Sequence, residues 1–95
     1  MESKVRYLRN PLCAGRIISG EAFVVTPGDN KLHRLNETAT CIWNTVATEA
    51  KSLGELVEAL LKEFNVEREK ALYDSELCLK DFIERKIIVT ENNSE

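Results

Sequence analysis

The chain has 95 residues, 43% of them apolar and 31% charged, which fits one small globular domain with a single core. Chains of this size bury only about 60–65% of their unfolded surface, so a deep catalytic pocket would compete with the core for the same side chains, which argues against an enzyme. The net charge of −3 conceals a split, with residues 1–35 summing to +3 and residues 36–95 to −6, so an acidic partner would favour the N-terminal third.

The opening "MESKVRYLRN" lacks the apolar centre of a signal peptide, and no window approaches the roughly 18–20 apolar residues of a membrane span. A cytoplasmic protein without membrane attachment is the expectation. The segment "RIISGEAFVVTPGDNKLHRLN" is rich in β-branched and aromatic residues. The cluster Pro27-Gly28-Asp29-Asn30 breaks it with the strongest turn formers. The pattern predicts strands at Glu21–Thr26 and Lys31–Leu35 joined as a hairpin. An earlier strand at Arg16–Ser19 meets them across Gly20, which takes positive φ without steric cost.

Asn36 ends this sheet and is a favoured N-cap, with Glu37 suited to the positive end of a first helix. Ala39, Ile42, Trp43 and Val46 then follow at helical spacing. Ser52-x-x-Glu55 is a capping box announcing a second helix with a face of Leu53, Leu56, Val57, Leu60, Leu61 and Phe64. Asn65 is expected to close that helix in the left-handed conformation. A third helix, Glu67–Arg85, follows after only a residue or two, with Ala71, Leu72, Ser75, Cys78, Leu79, Phe82 and Ile83 on its core side. "KIIVT" returns as a strand or wing, and residues 91–95 form a polar, disordered tail after a single domain at 1–90.

The predicted fold is therefore α+β: a winged helix-turn-helix with a three-stranded antiparallel N-terminal sheet, three helices and a short C-terminal strand. Tyr73 and Leu77 stand four positions apart on the outward face of the third helix. The strand Lys31, Leu32, His33, Arg34 and Leu35 is short and charged, as suits an edge. An edge beside an apolar helix ledge suits strand addition, so these seven residues are the candidate site for an extended peptide.

Other chemistries find little support. Cys13, Cys41 and Cys78 are odd in number and widely spaced, which argues against a disulfide framework or a zinc site and places Cys41 and Cys78 in the core. The lone His33 has no nucleophile arrangement to join, no phosphate-cradling glycine loop occurs, and the carboxylates of the third helix read as a solvated face. Neither catalysis nor a cofactor is expected. A DNA-binding winged helix is the rival reading, with a plain protein-protein scaffold as another. However, acids outnumber bases on the third helix, which would repel phosphates, so no nucleic-acid partner is expected.

Taken together, "RNP" at Arg9–Pro11, "RIISGEAFVV" at Arg16–Val25, "LNETATCIW" at Leu35–Trp43, "SLGELVEALLKEFNV" at Ser52–Val66 and "LKDFIERKIIV" at Leu79–Val89 resemble the PqqD family of pyrroloquinoline quinone (PQQ) synthesis proteins. Its domains are also called precursor-peptide recognition elements. The resemblance implies a non-catalytic peptide chaperone that grips the leader of a ribosomally made precursor. It would present that leader to a modifying enzyme, often a radical S-adenosylmethionine (SAM) protein. It also implies that the leader adds to the sheet edge and lies against the third helix. Many members carry Asp-Gly after the first helix where this chain has Thr48-Glu49-Ala50-Lys51. The product is thus left open between PQQ biosynthesis and lasso or sulfur-crosslinked peptides.

Overall fold

The structure is a computed structural model that describes residues 5–92. In chain order it contains β1 (Val5–Arg9), β2 (Ala14–Ile18), β3 (Glu21–Thr26), β4 (Lys31–Arg34), α1 (Glu37–Thr45), α2 (Leu53–Glu63), α3 (Arg68–Glu84) and β5 (Ile88–Asn92). The strands form two antiparallel sheets, β1-β5 and β2-β3-β4. Among the described residues no helix is long and apolar enough to cross a membrane.

The three-stranded sheet is built from two turns. Ser19 and Gly20 both take positive φ, 53° and 83°, the combination a two-residue hairpin needs to match the strand twist. The β3–β4 turn closes with the Asn30 N–H donating to the Thr26 carbonyl at 2.8 Å and Asn30 at φ 59°. Side chains alternate across the sheet: Ala22, Val24 and Thr26 are buried on the face toward the helices, while Val25 is exposed on the other.

The strand-to-helix joint is fixed by two polar side chains. Asn36 Oδ1 accepts from the Ala39 N–H at 2.8 Å, satisfying one of the first-turn amides. Thr40 Oγ1 accepts from the Ala22 N–H at 3.0 Å and donates to the Leu35 carbonyl at 3.2 Å, so it completes the pairing where β3 begins. Ile42, Trp43 and Val46 are buried as their spacing predicts. The Ser52–Glu55 capping box is present in both directions.

The first strand was missed because "VRYLR" mixes charge with apolar residues. Its partner lies at the opposite end of the chain, with Tyr7 facing Thr90 and Leu8 facing Val89. On its other side Tyr7 exchanges both backbone hydrogen bonds with Lys51, at 2.7 and 2.9 Å. β5 also runs beyond "KIIVT" through Glu91 and Asn92, so these two residues of the expected tail are strand; residues 93–95 lie outside the described residues.

Three details of the helices depart from expectation. Four residues, Phe64–Glu67, separate α2 from α3. α2 ends on an extended Phe64, and Asn65 is not left-handed; Lys86 is, at φ 64°. There the Ile87 N–H bonds the Phe82 carbonyl at 2.8 Å and the Lys86 N–H bonds the Ile83 carbonyl at 3.1 Å, a Schellman closure of α3 that buries Ile87 against Phe82. Finally, Leu72 and Ile83 are exposed, whereas Ala71, Ser75, Leu79 and Phe82 are buried. The core stripe of α3 is narrower because α2, β5 and α1 pack against one side of it and leave Leu72 and Ile83 outside.

Candidate functional site

Arg9 and Asn10 of the "RNP" stretch lock the N-terminal strand onto the helices. The Arg9 guanidinium lies 3.3 Å from the Trp43 ring centroid, and its Nε donates to the Trp43 carbonyl at 3.0 Å. Partial burial lowers its pKa from the usual guanidinium value. Asn10 Nδ2 donates to the Lys86 carbonyl at 2.9 Å. Gly15 completes the socket, since a Cβ there would sit 2.6 Å from Trp43 Cζ2.

With that frame set, β4 is one of the two edges of its sheet, β2 being the other. The Leu35 N–H donates to the Ala22 carbonyl at 2.9 Å. Antiparallel pairing alternates, so in the register Val24↔His33 and Val25↔Leu32 the backbone of Lys31, His33 and Leu35 faces β3. The N–H and C=O groups of Leu32 and Arg34 face outward. Two residues of the predicted strand thus offer free pairing groups, and three do not.

Beside this edge runs a cleft of about 410 Å³ between the start of α1 and one face of α3. That is at the low end of the ~300–1,000 Å³ of sites enclosing a small molecule. Arg34, Leu35, Asn36, Thr38 and Ala39 form one wall, with Asp74, Leu77, Cys78, Asp81, Phe82 and Arg85 opposite. Leu35 and Phe82 are buried in it, and Leu77 stands half-exposed at the rim. On the α3 wall Asp81 pairs with Arg85 at 2.9 Å and Asp74 with Lys70 at 3.3 Å, while the Arg34 side chain pairs with Glu21 at 2.8 Å on the other face of the sheet.

Of the seven predicted residues, Arg34, Leu35 and Leu77 line this cleft. Leu32 is not among the cleft-lining residues; its backbone groups face outward from the edge and its side chain rises on the opposite sheet face, beside Val25. Tyr73 is exposed on α3 and is not among the cleft-lining residues. Lys31 is exposed at the turn, its N–H donating to Asp29 Oδ1 at 3.2 Å.

His33 is turned inward and lies between Arg85 and Thr26. Its Nδ1 is 3.1 Å from Arg85 Nη1 and its Nε2 3.0 Å from Thr26 Oγ1. Because a guanidinium can only donate, Nδ1 must be the bare acceptor. Nε2–H then donates to Thr26, whose hydroxyl donates to Asp29 Oδ1. That bond from Thr26 is the main reason the Asp29 carboxyl sits below its usual range.

Sequence patterning also missed Cys78, Asp74, Asp81 and Arg85 as cleft residues, since core and surface positions of α3 converge on one groove. Burial, reinforced by Asp81, pushes the Cys78 thiol up to about 12, so it lines the cleft as a neutral, unreactive group. Among the described residues no cluster of His, Cys, Asp and Glu could hold a metal ion.

Comparison with known proteins bears on this geometry. No curated protein sequence matches the chain. Among solved structures, the fold is similar to that of "TbiB1 in Complex with the TbiA(beta) Leader Peptide", with a TM-score of 0.77 at 18% identity over 93% of this chain and 99% of that one. The family model described as "Coenzyme PQQ synthesis protein D (PqqD)" matches residues 21–88, from the start of β3 to the start of β5 and across the whole cleft. The chain belongs to the PqqD family.

Proposed function

We propose that this chain is a non-catalytic carrier for the leader of a ribosomally made precursor peptide. The leader adds as a strand to β4 and is presented to a modifying enzyme, a radical SAM protein or another peptide-modifying enzyme, in the cytoplasm. In this reading α2 and α3 are the helix-turn-helix pair and the β1–β5 ribbon is the wing.

The observation that carries the proposal is the open β4 edge, with the Leu32 and Arg34 backbone outward beside the cleft bordered by Leu77. Strand hydrogen bonds contribute about 0.5–1.5 kcal/mol each, and each buried leader side chain about 1.5–3 kcal/mol. Ordering the leader offsets part of this, which leaves binding that is firm yet reversible. The leader complex named in the similar structure supports the same reading. The acids exposed on α3 (Glu69, Glu76 and Glu84) disfavour a phosphate backbone.

Amide chemical shifts of labelled protein titrated with the leader encoded beside it test the proposal. Saturable changes confined to β4 and the Leu77 side of the cleft are expected. Changes elsewhere, or only with duplex DNA, would overturn it.

A further inference from the structure

The three-stranded sheet has a second face that no helix covers. The pairing aligns Ala14, Val25 and Leu32 in one row and Arg16, Phe23 and Arg34 in the next, with Ile18 opposite Glu21. Leu32 keeps 65% and Ile18 50% of its surface exposed. A shallow depression between these strands is lined by Ala14, Arg16, Ile18, Phe23, Val25 and Leu32, with Gly15 at its floor. A contiguous apolar surface of this kind marks an interaction site on a folded domain.

The charges on this face indicate its occupant. Arg34 is held by Glu21, while the Arg16 guanidinium has no ion-pair or hydrogen-bond partner among the described residues. Among the described residues the only carboxylate on this face, Glu21, is already held by Arg34, so a second copy stacked about a twofold axis would offer Arg16 no free anion. An apolar ridge carrying a carboxylate opposite Arg16 would satisfy both features.

Resting on the carrier reading above, we propose that the outer face of β2-β3-β4 is the docking surface for the peptide-modifying enzyme, through an apolar ridge bearing a carboxylate for Arg16. A leader strand added to β4 turns alternate side chains onto this same face. The bound peptide thereby widens the surface from three strands to four. The enzyme would contact carrier and cargo together and prefer the loaded carrier.

The test uses the full chain with the leader and the modifying enzyme encoded beside it. Leader affinity is measured by calorimetry and enzyme association by sedimentation. Arg16→Glu and Ile18→Asp, both at exposed positions, are expected to leave leader affinity within about twofold because their side chains avoid the cleft. Each is expected to weaken association of the loaded carrier with the enzyme about tenfold or more, with Arg16→Lys less affected. Unchanged enzyme association in both variants would overturn the inference while leaving the carrier reading intact. So would a chain that is dimeric alone and made monomeric by either substitution, because a second copy would then occupy the face. Failure of the unaltered chain to bind the leader would overturn the carrier reading, and this inference with it.

Discussion

The Arg85 guanidinium donates to Nδ1 of His33 across 3.1 Å, tying the end of α3, where Arg85 lines the cleft, to the middle of β4. His33 in turn holds Thr26, so the cleft wall and the β3–β4 turn are supported by one ring. Replacing His33 with Leu removes the donor to Thr26 Oγ1, which keeps its bond to Asp29, and takes the acceptor from one Arg85 donor. Urea unfolding should show a loss of about 1–3 kcal/mol. Arg85→Met should cost less, because Arg85 is half exposed and paired with Asp81. A long-range nitrogen–proton spectrum should show Nδ1 unprotonated; a protonated Nδ1 would break the assigned chain of donors.

Proline substitutions separate the two sides of β4. Leu32→Pro deletes an outward N–H and should leave far-UV circular dichroism intact while weakening leader binding about tenfold. His33→Pro deletes an N–H directed at β3 and should cost the fold about 3 kcal/mol or more. If the two effects exchange places, the register deduced from the Leu35–Ala22 bond is wrong.

Gly15→Ala tests the Trp43 socket. With Trp43 Cζ2 only 2.6 Å from the added methyl, the ring must shift out of its seat beneath Arg9. A loss of about 1–3 kcal/mol is expected, read as a lower urea midpoint with quenched or shifted Trp43 fluorescence. An unchanged midpoint would show that the socket can relax.

Acid should destabilise the protein through two carboxylates held below their usual range. These are Asp29, chiefly by the Thr26 hydroxyl, and Glu55, chiefly by the Ser52 N–H with help from Arg6. A depressed value in the folded chain adds stability above the unfolded value and loses it as pH falls through the folded one. The loss should therefore develop from about pH 4 downward. Asp29→Asn and Glu55→Gln should each lower stability at neutral pH and flatten the acid limb of a stability profile; parallel profiles would exclude these groups as its cause.

Residues whose partners are near in sequence were legible from the chain alone. The Asn36 cap, the Ser52–Glu55 box, the break at Gly20 and the α1 stripe rest on local bonds and periodicity, which the sequence by itself determines, although Ser19 belongs to the turn and not to the strand expected at Arg16–Ser19. The edge strand and Leu77 were legible as well, since charge at an edge and an apolar residue outside the core stripe are both local signals. Tertiary structure decided where contacts are distant. β1 exists because β5 and Lys51 pair with it. His33 belongs to the interior because Arg85, 52 residues away, reaches it. The choice of Leu32 and Arg34 as the open amides follows from a register set by the Leu35–Ala22 bond. A strand's pattern shows that side chains alternate; only its neighbour determines which backbone groups remain free.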